Sequence, residues 1–308
     1  MRKPKVGLVL GSGASRGWAH IGAIEALEKH GIKISMIAGA SAGSFIGAAY
    51  AGNGLSSVKE FALNMDWKKV LSYLDLAFPR SGFMEGKKVV ELIRLHTDIE
   101  NFEDLSIPLK MVATDMFTAE QVVLSTGKIT DALKASMAVP GVMTPMKIDN
   151  RWLVDGGVVN PLPVDICREM GADVVVAVDL NSERVSSNPE RHNSTDWEDR
   201  SKGFESTRLT AVKSWMERHG ERGKSISDRL DKWFSPDEST PHIFEVMGSS
   251  LNIMQQKIEK MNLMAHPPDI LIQPRLGDMN FFDFDEAERA IQEGYQRTEE
   301  SIPDLQEK

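Results

Sequence analysis

Short apolar runs alternate with longer stretches of helical periodicity over the N-terminal part of the chain. Val6–Leu10 is almost wholly apolar and stops at Gly11. An unbroken run of that length predicts a strand covered on both faces. Ile21, Ile24 and Leu27 share one face of a helix over 18–30, which Gly31 ends as a C-terminal glycine does. Met36–Ala38 is a second strand, and 45–50 is the helix behind it. Ser57-Val58-Lys59-Glu60 has the spacing of a capping box and predicts a helix to about Met65. A loop over 82–86 precedes a helix over 87–96, with Val89, Val90 and Ile93 inward. Strands are expected at 109–114 and 121–125, the second alternating weakly like an edge. A short helix at 129–137 is stopped by Pro140, and another at 164–170 by Gly171. Val174–Val178 is a valine-rich strand of the buried kind. Strands alternating with helices predict an α/β layered domain.

The pattern breaks at about Glu183. Residues 183–240 hold 23 charged positions in 58, with few branched aliphatics. That density predicts an insert or linker outside the core. Within it Leu209, Val212 and Trp215 share a helical face, as do Ile226, Leu230 and Trp233. A solvated helical pair is the plainer expectation, and a mobile cover or lipid-interface element is the functional one. Periodicity returns after Pro241, with a helix at 244–261, a strand at 270–272 and a closing helix at 284–295. The polar tail after Ser301 is expected to fray. The expected organisation is a core over 1–182, a charged segment over 183–240, and 241–308 completing the core.

Composition narrows the class. At 308 residues, 41% hydrophobic and 26% charged, the chain reads as a soluble globular protein. A net charge of -9 argues against a nucleic-acid binder. One cysteine, Cys167, excludes an intrachain disulfide and fits a reducing compartment. Met1-Arg2-Lys3-Pro4-Lys5 leads into a strand rather than a signal peptide, so a cytoplasmic location is expected. No charge falls between Lys33 and Lys59, yet that stretch holds Asn53 and five glycines. It reads as a buried helix rather than a membrane span. No zinc spacing, Walker loop or internal repeat occurs.

Candidate chemistry begins at Gly39-Ala40-Ser41-Ala42-Gly43, a Gly-x-Ser-x-Gly match between a strand and a helix. That setting forces the serine into a strained turn and exposes its oxygen near helix N-terminal amides. Gly39 and Gly43 keep the neighbouring chain clear of it. Upstream, Gly11-Ser12-Gly13-Ala14-Ser15-Arg16-Gly17 follows the first strand and fits three chemistries. As a dinucleotide cradle it places its third glycine one position late, with Arg16 in its place. As a short-chain dehydrogenase loop it needs a Tyr-x-x-x-Lys pair, and none of Tyr50, Tyr73 and Tyr295 has a lysine four residues on. As an oxyanion hole it would face the elbow serine with backbone amides.

Val154-Asp155-Gly156-Gly157 delivers an aspartate into a double-glycine turn, which is also the commonest hairpin signal. A serine needs a base, usually histidine. Of the seven histidines, none downstream follows a strand as a triad histidine should. A direct Ser41–Asp155 pair is the alternative.

Taken together, these motifs resemble a bacterial patatin-like phospholipase. Leu8-Val9-Leu10-Gly11, Ala19-His20-Ile21-Gly22, the Ser41 elbow and Val154-Asp155-Gly156-Gly157-Val158-Val159-Asn160-Pro161 carry the resemblance, in the family's order and separation. It covers roughly 5–182, with a weaker likeness near 270–300. The resemblance implies a three-layer α/β/α fold with a mostly parallel sheet. It implies hydrolysis of lipid acyl esters by a Ser-Asp dyad without metal or cofactor. Ser41 is then the nucleophile and Asp155 the general base. Gly11, Gly13 and Ala14 belong to the oxyanion hole, and Gly156 and Gly157 complete the Asp-Gly-Gly motif. Ser12 and Ala14 stand where the family usually has glycine, so Ala14 must hold a conformation that glycine adopts more cheaply.

Two function classes follow. One is a serine lipid hydrolase of phospholipase A or lysophospholipase type, with acyltransferase or thioesterase chemistry on the same dyad as a variant. The other is a non-catalytic lipid- or acyl-binding module on the same scaffold. The expected partners are a lipid or acyl-ester substrate and a membrane surface touched peripherally.

Overall fold

The computed structural model describes residues 3–66, 87–97, 99–182 and 243–308. The loop expected at 82–86 and the helices expected within 183–240 lie outside the described residues. The chain divides into two compact units, Met1–Val185 with Ser250–Lys308, and Ser186–Ser249. Of the second, the described residues 243–249 are the opening turns of a helix.

The first unit is built on a mixed eight-stranded sheet. Its strands are β1 (Val6–Leu10), β2 (Ile34–Ala40), β3 (Leu109–Asp115), β4 (Gln121–Leu124), β5 (Met146–Ile148), β6 (Arg151–Asp155), β7 (Val174–Val178) and β8 (Ile270–Ile272). They are hydrogen-bonded in the order β5-β6-β3-β2-β1-β7-β8, with β4 also on β3. β3, β2, β1, β7 and β8 run parallel, whereas β4, β5 and β6 bring in antiparallel pairs. β1 lies between β2 and β7 and is buried at every position, which is why its sequence is apolar without alternation.

Successive strand residues enter opposite faces. Leu8, Leu10, Ile37, Val176 and Val178 pack with Ile21 and Ile24 of α1 (Ala19–Lys29), Ile46 of α2 (Ala42–Ala51) and Val58 of α3 (Leu55–Leu63). Ile93 of α4 (Lys87–His96) and Leu133 of α5 (Ile129–Ser136) join the same cluster. Val9, Met36, Ala38, Val175 and Ala177 pack on the other face with Val164, Ile166 and Cys167 of α6 (Val164–Glu169). Leu263 of α7 (Ile243–Ala265) leans on that second cluster. Helices on both faces make this the expected three-layer α/β/α fold, and five of its eight strands run parallel, as a mostly parallel sheet requires.

Four local expectations differ. The helix expected to be capped by Ser57 starts at Leu55, with Gly54 at its N-cap and no side-chain cap bond. Burial of Leu55 and Val58 on one face sets that start. The helix expected at 18–30 opens as a 3-10 turn over Ala14–Trp18. β5 went unpredicted, and it joins β6 through Asp149 and Asn150, both at positive φ (46° and 65°), the signature of a two-residue hairpin turn. The tail after Ser301 does not fray: the closing helix α8 spans Ala287–Gln306, with Ile302 and Leu305 buried in the core. Among the described residues no helix is long and apolar enough to cross a membrane.

Candidate active site

β2 ends at Ala40 and α2 begins at Ala42, so Ser41 alone makes the turn between them. Its φ of 53° and ψ of -118° lie outside the basins open to a residue with a β-carbon. Neighbours hold it there. The Ser41 amide donates to Ser136 Oγ at 3.1 Å, and Ser136 Oγ is 2.8 Å from Ser44 Oγ. The Ser41 carbonyl accepts from the amides of Ser44 and Phe45 in the first turn of α2. Gly43 lets that turn press on the end of β1, because a β-carbon there would sit 1.9 Å from the Leu10 carbonyl oxygen. Gly39 lies opposite Leu10 in the β1–β2 register.

Asp155 arrives from the opposite direction. Residues 111–114 of β3 are occupied along one side by β4, so β2 and β6 share the other side end to end. Ala40 pairs with Val112, and Asp155 pairs with the next residue, Ala113. The Ser41 hydroxyl therefore meets the Asp155 carboxylate and donates to Oδ2 at 2.6 Å. Oδ1 accepts from the Gly157 amide at 2.7 Å. The Asp155 amide donates to the Ala138 carbonyl, and its carbonyl accepts from Thr114 Oγ1 at 2.8 Å. The double glycine forms a 3-10 turn rather than a hairpin. Gly156 passes so close to β3 that a β-carbon would lie 2.1 Å from the Val112 carbonyl oxygen.

Both side chains are enclosed: Ser41 is 7% exposed and Asp155 1%. Burial pushes the Asp155 carboxyl up to about 6, although the bonds from Ser41 and Gly157 pull the other way. At neutral pH it is an ionised carboxylate, yet a stronger base than one in water.

The loop at 11–17 packs beside this pair. The Gly11 amide donates to the Val178 carbonyl at 3.1 Å and the Ser12 amide to the Pro161 carbonyl at 2.8 Å. Among the described residues the Gly13 and Ala14 amides have no acceptor. Ala14 has φ 50°, the glycine-like conformation that its place in the loop demands. His20 Nε2 lies 2.8 Å from the Gly11 carbonyl. Burial pushes its imidazole down to about 4, so the neutral ring donates from Nε2. Among the described residues no histidine is bonded to Ser41 or Asp155, and none forms part of a cluster able to hold a metal. His192, His219 and His242 lie outside the described residues.

The candidate nucleophile, base, loop and glycine positions, Ser41, Asp155, Gly11, Gly13, Ala14, Gly39, Gly43, Gly156 and Gly157, thus gather at one end of β1, β2 and β6. Ser44, Ser136 and Ala138 were not anticipated. Ser136 closes an ordinary short helix ahead of Pro140, and no local spacing marks it as a partner of a serine 95 positions away.

The model of the family described as patatin-like phospholipase matches residues 8–168. An "Uncharacterized NTE family protein" of Mycobacterium bovis is 29% identical, over 94% of this chain and 89% of its own. Human "Patatin-like phospholipase domain-containing protein 6" is 36% identical over 58% of this chain, which corresponds to 13% of that protein. Drosophila melanogaster "Neuropathy target esterase sws" is 32% identical over 58% of this chain and 13% of its own length. Among solved structures, VipD from Legionella pneumophila aligns with a TM-score of 0.48 at 14% identity, over 98% of this chain and 67% of that one. With the family model covering more than half of its length, the chain belongs to the patatin-like phospholipase family, a family of lipid hydrolases.

Proposed function

We propose that the protein hydrolyses acyl esters of lipids, as a phospholipase A or lysophospholipase, through an acyl-enzyme on Ser41. The observation that carries this reading is the 2.6 Å hydrogen bond from Ser41 Oγ to a buried, basic Asp155. Asp155 takes the hydroxyl proton as Oγ attacks the ester carbonyl carbon. The oxygen that becomes negative lies against the Gly13 and Ala14 amides, which have no other acceptor among the described residues. The tetrahedral species collapses with loss of the alcohol, and the proton on Asp155 passes to the departing oxygen. Water then gives a proton to Asp155 as it attacks the acyl carbon, and that proton passes to Ser41 Oγ as the acyl–Oγ bond breaks, releasing the fatty acid and restoring Ser41 and ionised Asp155.

A lipid surface suits the rim of this site. Met116, Phe117 and Trp152 are 48%, 75% and 40% exposed, and the Met116 amide donates to the Trp152 carbonyl. Trp152 lies three residues from Asp155 along β6, about 10 Å at the usual strand rise. The Lys147 ammonium sits 5.9 Å from the Trp152 ring centroid, and such a pair suits the water–lipid boundary. The deciding experiment is a panel of phospholipids, lysophospholipids and neutral acyl esters with Ser41→Ala as control. Release of fatty acid that Ser41→Ala abolishes supports the reading. Lipid binding without turnover favours a non-catalytic module, and transfer to an added alcohol or thiol favours an acyltransferase.

A further inference from the structure

Arg16 is 1% exposed, and the chemistry above does not use it. A buried guanidinium is costly unless its donors are taken up and its charge is matched. Here its donors are taken up, and Glu259 lies close enough to feel its charge. Nη1 donates to the Leu180 carbonyl at 2.6 Å, and Nη2 to Asn181 Oδ1 at 3.1 Å and Asn252 Oδ1 at 2.9 Å. Nε turns back onto the Gly13 carbonyl at 3.3 Å, and the Arg16 amide reaches the same oxygen at 3.1 Å. Asn181 Nδ2 bonds the Ser12 carbonyl at 3.3 Å and Glu259 Oε2 at 2.9 Å. Burial first, then the adjoining Asp179, pushes the Glu259 carboxyl well up, and Arg16 opposes this.

This network grips the loop at the two peptides that matter. The Gly13 carbonyl belongs to the Gly13–Ala14 peptide, whose N–H is the Ala14 amide. Ser12 holds the peptide before it, whose N–H is the Gly13 amide. Ser12 Oγ also donates to Gln255 Oε1 at 3.2 Å, a use that a glycine at 12 could not supply. The Ala14 backbone is strained at φ 50°, so something must hold it. Asn252, Gln255 and Glu259 follow one another along one face of α7. The C-terminal segment thereby supplies the backing of an N-terminal loop.

We propose that Arg16 is a positioning residue: from behind the 11–17 loop it holds the Gly13 and Ala14 amides in the orientation that receives the oxyanion. This rests on the serine-hydrolase reading above. It differs from a purely structural role because removing Arg16 should weaken the charged transition state more than the neutral substrate.

The test uses the full chain and a soluble nitrophenyl butyrate ester. Arg16→Met, Arg16→Lys and Asn252→Ala are compared for kcat, for KM, and for inhibition by a trifluoromethyl ketone, which forms a tetrahedral anion on serine. Arg16→Met should lower kcat by about 10- to 100-fold, somewhat less than deleting an oxyanion donor outright. KM should stay within about threefold, and the ketone should lose potency in step with kcat. Arg16→Lys should recover part of the loss. If Arg16→Met does not fold, Asn252→Ala decides, and it should lower kcat and ketone potency together while KM holds. A folded Arg16→Met, or failing that Asn252→Ala, with kcat and ketone inhibition within about twofold of the parent overturns the proposal, as does a loss confined to KM. Ser41→Ala run alongside separates the two levels. If it stays active, the hydrolase reading fails; if it is dead while Arg16 variants are unimpaired, only this inference fails.

Discussion

Ala40 and Asp155 occupy consecutive positions along one side of β3, on Val112 and Ala113. β2 and β6 thus approach each other head on, and the residue leaving β2, Ser41, is delivered to the residue ending β6. The 2.6 Å contact between their side chains follows from backbone register, not from a flexible loop. Sites carried on strand ends hold their geometry more closely than sites on loops.

Activity should depend on a single group with a value near 6. Asp155 is raised to about 6 by burial and works as a base only when ionised. The turnover number over KM on a soluble ester should fall tenfold per pH unit below about 6 and stay level from 7 to 8.5. A limb that moves when His20 is replaced, or one near 4, would contradict this.

Stability should show opposite trends for two buried groups. Asp155 holds its proton in the folded chain up to about 6 but only to 3.8 when unfolded, so its contribution is present at low pH and lost as pH rises through 6. His20, lowered from 6.5 to about 4, contributes above 6.5 and loses that contribution as pH falls toward 4. Between 4 and 6 the two largely offset. Asp155→Asn should therefore be more stable than the parent at pH 7.5, by about 1–3 kcal/mol, with the gain vanishing near pH 4. Denaturant melts of both proteins at the two pH values measure this.

Much of the site was legible because its signals are local. The apolar runs of β1 and β7, the Gly-x-Ser-x-Gly elbow and the Asp-Gly-Gly turn are each short-range patterns. The strain expected at Ala14 appears as φ 50°. What the sequence hid is long-range. Nothing near Val112 announces that two strands share its neighbour's edge. Ser136 and the Arg16 network join residues 95 to 236 positions apart. The capping box at Ser57 failed because burial of Leu55 started the helix sooner than a cap could. The tail after Ser301 looked polar because only Ile302 and Leu305 face inward.

Removing the apolar rim should separate two kinds of substrate. Phe117→Ser combined with Trp152→Ser should reduce hydrolysis of phospholipid vesicles at least about fivefold, on the scale of one lost interfacial contact. Hydrolysis of a soluble nitrophenyl ester should stay within about twofold of the parent, since among the described residues the hydrogen bonds of Ser41 and Asp155 involve neither Phe117 nor Trp152. An equal loss on both substrates would remove the rim from lipid contact.

Ser136→Ala takes away the acceptor of the Ser41 amide and the partner of Ser44. A buried amide left unpaired costs about 1–3 kcal/mol. The variant should melt lower and turn over more slowly, while Ser136→Thr should restore both in part. Thermal melts and ester assays on the two variants decide this.

The most direct measurement is peptide mass spectrometry after treatment with a fluorophosphonate, comparing the parent, Ser41→Ala and Asp155→Asn. The account predicts one adduct, on the peptide that holds Ser41. It predicts no adduct in Ser41→Ala and labelling slowed at least ~100-fold in a folded Asp155→Asn, the scale of a lost general base. An adduct on another serine, or Asp155→Asn labelled at the parent's rate, would contradict it.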